Sequence, residues 1–265
     1  MPTTKSDTWN PHLYHSFQKE RSEPFFDLMG LIKKEGFHFR HALDLGCGTG
    51  ELTKILQDTL EIKEVVGVDS SIAMLNKAKE HEDANLKFKH QSIEEALQKA
   101  APESQDLIFS NASLHWCDDH ASLITQMFRA IHKGGQLAIQ VPANHDYPTH
   151  IIAKELGDSE RYAPLMKIKS HENSVLEANE YAQLLFEAGF KEQHVRLQVY
   201  PHHLKSREEV VEWVKGTLLT HYERALGPEQ YALYLKDYQE LLFRVLPDQK
   251  PFFYPFKRLH IWARK

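Results

Sequence analysis

Apolar runs of strand length recur along the chain near 41–45, 64–69, 85–90, 105–111, 135–142, 192–200 and 257–263. Between them, apolar residues spaced three and four apart mark helices over 51–60, 71–81, 92–100, 119–132 and 178–188. Strands alternating with helices predict an α/β fold, a doubly wound, seven-stranded, mainly parallel sheet of the Rossmann-like kind. Gly134-Gly135 are expected to stop the helix before the fifth strand, and Glu187-Ala188-Gly189-Phe190 to end the one before the sixth. Two regions break the alternation. Residues 1–35 read as a short arm followed by a helix, and 206–247, ahead of the last strand, are strongly helical. Without repeats or low-complexity tracts, the expectation is a single domain over 1–265 with a helical cap formed by 206–247.

The first strand runs into Asp44-Leu45-Gly46-Cys47-Gly48-Thr49-Gly50 and then a helix, a glycine-rich strand-to-helix turn. The second strand ends at Asp69, about 20 residues past the loop, the spacing at which an acid holds a ribose. Glycines alone can simply close a strand onto a helix; acids before and after them point to a ligand. A dinucleotide would press its pyrophosphate on the helix N-terminus, where free N–H groups welcome negative charge. Asp44 at the mouth of that loop would repel it, and the spacing is G-x-G-x-G. S-adenosylmethionine has no phosphate and carries a sulfonium and an ammonium, which a carboxylate attracts. The loop therefore reads as an S-adenosylmethionine site.

Composition narrows the classes further. The 265 residues are 42% hydrophobic and 11% aromatic, enough for a packed core. The formal net charge is −5, with 32 basic and 37 acidic residues well mixed, which argues against a nucleic-acid partner. Cys47 and Cys117 suggest no disulfide framework, so a cytoplasmic location is expected. No apolar run approaches the ~20 residues that span a bilayer, and the first residues lack a signal-peptide core, so no membrane association is expected. Seventeen histidines show no metal-ligand spacing; His202 and His203, being adjacent, face opposite sides of a strand. No metal is expected.

With the loop, the acid and the strand pattern in hand, the chain resembles the class I S-adenosylmethionine-dependent methyltransferases, and among them the trans-aconitate 2-methyltransferase branch. The likeness is carried by Trp9-Asn10-Pro11, Tyr14 and Glu20-Arg21-Ser22 in the arm, by the glycine loop, and by Gly67-Val68-Asp69-Ser70-Ser71 with Met74. It continues through 106–114 with Trp116, Pro148-Thr149-His150, Trp213-Val214, Arg258-Leu259 and Ala263-Arg264. The resemblance implies that Tyr14 and Arg21 meet the methionine carboxylate, where an arginine suits bidentate pairing. It also implies that Asp69 and Ser70 lie at the ribose, and that Ser92-Ile93 follow the third strand against adenine. Relatives place an acid where Ser92 stands here, leaving one hydroxyl or the backbone for the exocyclic amine. Met74 suits either the adenine face or the core. Asn111, closing the fourth strand, suits either the sulfonium or a strand-end turn.

Methyl transfer to a carboxylate needs no general base, because a carboxylic acid with a pKa near ~4 is already ionised at neutral pH. Alignment and exclusion of water then supply the acceleration, and no catalytic side chain is expected. A polycarboxylate acceptor calls for cationic or polar donors: His150, His221, Arg224 and Arg258 are candidates, with Trp213, Tyr222 and Tyr254 either walling the pocket or packing the core. Where an arginine is expected in the branch, this chain reads Leu218-Leu219-Thr220-His221-Tyr222, a weaker positive field. The alternative acceptor is a malonyl thioester carried on acyl carrier protein. Base methylation fits less well, because Asn111-Ala112-Ser113-Leu114 lacks the proline-rich turn that grips a flipped base. A non-catalytic S-adenosylmethionine sensor is the remaining class.

Overall fold

The computed structural model describes residues 18–34, 36–166 and 174–265, with side chains from Ser22 onward. Tyr14 lies outside the described residues; Arg21 falls in the first described helix, but its side chain is outside the description.

The strands are β1 (His41–Leu45), β2 (Glu64–Asp69), β3 (Leu86–His90), β4 (Gln105–Asn111), β5 (Ile131–Pro142), β6 (Glu192–Leu204) and β7 (Phe252–Arg264). They form one sheet in the order β3-β2-β1-β4-β5-β7-β6. β1 pairs in parallel with β2 and β4, β2 with β3, and β4 with β5, while β7 runs antiparallel to β5. The expected doubly wound, mainly parallel sheet is therefore present. Its central strands are buried on both faces, which is why Leu107–Phe109 and Leu137–Val141 read as near-continuous apolar runs.

The helices are α1 (Gln18–Met29), α2 (Glu51–Leu60), α3 (Ile72–Ala78), α4 (Ile93–Lys99), α5 (His120–Ala130), α6 (Pro148–Gly157), α7 (Ala178–Ala188), α8 (Arg207–Lys215), α9 (Leu219–Leu226) and α10 (Pro228–Val245). Side chains start several of them. Ser71 Oγ accepts from Met74 N at 3.2 Å, Ser92 Oγ from Glu95 N at 3.2 Å and Asp119 Oδ1 from Ser122 N at 3.0 Å. Gly189, at φ 104°, ends α7 as expected.

Gly134-Gly135 do something different from stopping a helix. α5 already ends at Ala130, and the glycines lie inside β5, where the register against β4 shifts between Gln105 and Leu107. Gly134 sits at φ 86° with its N–H donating to the Lys265 carbonyl at 2.8 Å, so the C-terminal residue recruits this stretch into the sheet. A side chain at Gly135 would meet Ile131 Cγ2 at 2.7 Å, which is why the bulge takes glycine. α6 was not anticipated from the periodicity; Pro148 stands in its first turn, a position that needs no N–H donor.

The chain divides into two compact units. Arg21–Pro142, Ser174–Gln198 and Arg258–Lys265 make the sheet unit. Within it α1 covers one sheet face: Phe25, Leu28 and Met29 pack with Phe109, Ala138 and Trp262. The second, helical unit contains Val199–Lys257 and the segment that begins at Ala143, so it takes in α6 as well as the helices of 206–247. α10 places Tyr231, Tyr234 and Tyr238 on one face by their three- and four-residue spacing. Tyr234 Oη donates to the Ala153 carbonyl at 2.7 Å and Tyr238 Oη to that of Thr149 at 3.1 Å, fastening α10 to α6.

Candidate cofactor site

The glycine loop is held from three sides. Gly46 N and Cys47 N donate to the Val68 carbonyl at 2.8 and 3.0 Å, tying the end of β1 to β2. On the other side, the Leu45 carbonyl accepts from Ser113 Oγ at 2.6 Å and from Ser110 Oγ at 3.1 Å, tying it to β4. Ser113 lies so close that a Cβ on Gly46 would stand 2.2 Å from its Cβ, and Gly46 also has φ 78°. Gly48, at φ 57°, differs: a Cβ there would meet nothing within 4 Å. The loop therefore presents open space at Gly48 and tight packing at Gly46.

Asp69 closes the third side. Its Oδ2 accepts from Gly48 N at 2.9 Å and its Oδ1 from Ser71 N at 2.8 Å, so one carboxylate joins the loop to the start of α3. The Ser70 side is exposed, with its carbonyl accepting from His90 Nε2 at 3.0 Å. Met74, in the first turn of α3, and Ile93, in the first turn of α4, are buried. Ser92 spends one lone pair on capping α4, which leaves its hydroxyl proton and a second lone pair. Cys47 is buried, and burial with the negative charges of Asp44 and Asp69 raises its thiol pKa. It is no nucleophile.

Asp44 is the deepest of the acids, 5% exposed and bonded to Thr53 Oγ1 at 2.6 Å. Burial pushes its carboxyl pKa up to about 7; the Thr53 bond opposes this and the charge of Asp69 adds to it. Two mutually repelling carboxylates at one loop are relieved by a cation and aggravated by a phosphate. At the end of β4, Asn111 Oδ1 is buried with no hydrogen-bond partner among the described residues, and the next residue, Ala112, is held at φ 52° by its N–H donating to Gln140 O at 2.9 Å. A ligand with positive charge, a diol and a flat base fits this donor and acceptor set.

The sequence reading missed Thr53, Ser110 and Ser113. The signal for the two serines was a pair of hydroxyls, Ser110 at the end of the apolar run of β4 and Ser113 just past the strand; Thr53 carried no signal apart from its place in the helix after the loop.

The residues named for the acceptor fall in both units. In the helical unit, Trp213 and Tyr254 are fully buried in the hydrophobic cluster, with ring centroids 6.0 Å apart. Tyr222 stacks on Tyr234 at 4.9 Å, and His221, half-buried, meets Tyr222 edge-on at 5.4 Å. Arg224 is exposed. His150, on α6, has Nδ1 3.0 Å from Thr149 Oγ1; burial first, then the charge of His145, lowers its pKa to about 4 against the pull of Asp146. In the sheet unit, Arg258 is 5% exposed on β7, opposite Pro142.

This strand order, with a glycine loop after β1 and an acid after β2, defines a Rossmann-like methyltransferase fold. Residues 40–189 match the family described as Methyltransferase domain. The trans-aconitate 2-methyltransferase of Deinococcus radiodurans is 37% identical over 261 residues, covering 95% of this chain and 96% of that protein. The enzyme of the same name from Escherichia coli is 31% identical over 260 residues, covering 97% and 98%. Among solved structures, the YcgJ protein from Bacillus subtilis superposes with a TM-score of 0.60 at 15% identity, covering 94% of this chain and 98% of that one. Phosphoethanolamine N-methyltransferase 2 of Haemonchus contortus, solved with S-adenosyl-L-methionine, gives a TM-score of 0.52 at 17% identity, covering 94% and 57%. The chain belongs to the S-adenosylmethionine-dependent methyltransferase family. It is an enzyme of that class, and S-adenosylmethionine is its cofactor.

Proposed function

We propose that the protein methylates a carboxylate of a small polycarboxylic acid of the trans-aconitate kind. The observation that carries this reading is the near-full-length match, at 31–37% identity, to relatives named for that activity. Bound S-adenosylmethionine supplies an electrophilic methyl carbon: the acceptor oxygen bonds to it as the C–S bond breaks, the electron pair stays on sulfur, and no proton is transferred. The protein's own groups then have a positioning task. Asp44, Gly46, Cys47, Gly48, Asp69, Ser70, Met74, Ser92, Ile93 and Asn111 hold the cofactor, with Tyr14 and Arg21 from the arm. In the sheet unit Arg258 is the candidate source of positive charge for the acceptor; in the helical unit the acceptor candidates are His150, Trp213, His221 and Tyr254. Proximity and exclusion of water supply the acceleration.

Two free, buried cysteines suit a reducing compartment, and we place the enzyme in the cytoplasm. Among the described residues no helix is long and apolar enough to cross a membrane. The test is to incubate purified protein and S-adenosylmethionine with trans-aconitate, other short polycarboxylates, malonyl-acyl carrier protein and nucleic acid, following S-adenosylhomocysteine. Turnover on the tricarboxylic acid is expected. Turnover confined to the carrier protein or to nucleic acid would overturn the reading.

A further inference from the structure

Gln140 is wholly buried on β5, and among the described residues neither the nitrogen nor the oxygen of its carboxamide has a hydrogen-bond partner. Leaving a buried polar group unsatisfied is costly to the fold. The other buried amide of β5, Gln136, is bonded to the Lys33 backbone and to Trp262 Nε1; among the described residues Gln140 makes no such structural bond.

Its neighbours give the position meaning. Gln140 pairs with Asn111 on β4 and with His260 on β7, and side chains paired in register project from the same sheet face. Asn111 Oδ1 is likewise buried with no hydrogen-bond partner among the described residues. The face is the one α1 covers, because His260 Nε2 bonds to the Pro24 carbonyl at 3.2 Å and Phe25 packs edge-on against Phe109 at 5.5 Å. One strand spacing, about 4.8 Å, separates Asn111 from Gln140, so a site at Gln140 is contiguous with the cofactor site.

The charge around the row is positive. A carbonyl only accepts, so His260 carries its proton on Nε2. Burial lowers its pKa to about 4, opposed by the bond to Pro24 and by Asp27, with the charges of Arg196 and Arg258 pressing it further down. The ring is therefore neutral, and the positive charge belongs to the two arginines. Among the described residues Arg196, on β6, has no carboxylate partner, and its Nε is buried and unbonded.

We propose that Gln140 is a specificity-determining residue, its Nε2 donating to a carboxylate oxygen of the acceptor while Arg196 supplies the opposite charge. This rests on the carboxylate-methylating function proposed above. Two residues along β6 from Arg196, Gln198 Nε2 donates to Asp27 Oδ2 of α1 at 3.1 Å, so Arg196 shares the face that α1 covers. An amide and a guanidinium on one face suit an acid with more than one carboxylate.

The test compares wild type with Q140L, Q140M, Q140E, R196M and R196K in steady-state kinetics on the acid, cofactor titration and thermal melts. Q140L and Q140M are expected to raise KM for the acid about tenfold, one hydrogen bond to a charged group, at nearly unchanged kcat and cofactor affinity. Their melting temperature should hold or rise, because carbon replaces two orphan polar atoms. Q140E should raise KM further by repulsion, and R196K should recover part of what R196M loses. An unchanged KM in folded Q140L or Q140M would overturn the proposal, as would a loss confined to cofactor binding. No turnover of any acid by the wild type would defeat the underlying function as well; turnover with unaltered variant KM defeats this assignment alone.

Discussion

Thr53 Oγ1 donates to Asp44 Oδ2 across 2.6 Å, and both residues are buried beneath the glycine loop. The bond joins the first strand to the helix after the loop, and it holds the one carboxyl that burial most strongly discourages from ionising. Burial outweighs the hydroxyl, so the pKa lies near 7 instead of 3.8. This acid changes state near neutral pH.

Cofactor affinity should therefore depend on pH. The ionised form of Asp44 attracts a cation and the protonated form does not. With a pKa of about 7 in the free protein, the Kd for S-adenosylmethionine is expected to weaken about tenfold from pH 8 to pH 6. D44N should bind weakly at both pH values and lose the slope. Titration calorimetry at several pH values checks this, and an equal slope in D44N would remove Asp44 as its source.

Stability should respond to the same group with the opposite sign. The folded pKa is raised, so between pH 3.8 and about 7 the folded chain binds more protons than the unfolded one, and stability falls as pH rises through that window. D44N retains an acceptor for Thr53 and removes the titration. It is expected to melt above wild type at pH 8 by about 5 °C, on the order of 2 kcal/mol, and to converge with it near pH 4. Differential scanning calorimetry at the two pH values measures the gap.

Much of this was legible in advance, for reasons that differ by element. β1, β2 and β4 lie at their expected residues because parallel strands buried on both faces leave unbroken apolar runs, and Gly46 and Asp69 bound them with unmistakable chemistry. β5 begins at Ile131 instead of 135 because a bulge and the C-terminal Lys265 recruit the glycine pair, and neither is written in local periodicity. Thr53 under Asp44 and the orphan amide of Gln140 are facts of three-dimensional burial. In the sequence they are an ordinary helical threonine and one polar residue in a strand.

Two glycines of the same loop should fail in different ways. Alanine at Gly46 meets Ser113 as well as a left-handed backbone, so G46A is expected to lose about 3 kcal/mol or more of stability. S113G in that background should recover the collision and leave the backbone strain. G48A meets no protein atom; its cost to folding should stay near about 1 kcal/mol while cofactor affinity falls at least tenfold. Melting curves paired with cofactor titrations separate the two, and equal folding losses would contradict the geometry.

Asp69 should couple cofactor affinity to loop order. Its two oxygens each satisfy a backbone N–H, from Gly48 and from Ser71. D69A leaves both donors to solvent and removes the acceptor expected at the ribose. Affinity should fall about 100-fold, with a stability loss of about 2 kcal/mol. Hydrogen exchange should quicken at the Gly48 and Ser71 amides. Unchanged exchange alongside lost affinity would assign the carboxylate to the ligand alone.

His260 should make the fold sensitive to acid. It is fully buried on β7, bonded through Nε2 to the Pro24 carbonyl, and faced by Arg196, Arg258 and Asp27. Its folded pKa of about 4 lies below the ordinary 6.5, so the unfolded chain binds more protons between those values. The stabilisation is complete above pH 6.5 and drains away as pH falls through that window. H260Q retains a donor for the Pro24 carbonyl and cannot titrate. Between pH 7.5 and pH 5, wild type should therefore lose on the order of 2 kcal/mol more than H260Q. Asp44 works in the other direction over part of this range, but it does so in both proteins and cancels from the comparison. Urea unfolding at the two pH values measures the difference, and parallel losses would show that the acid sensitivity originates elsewhere.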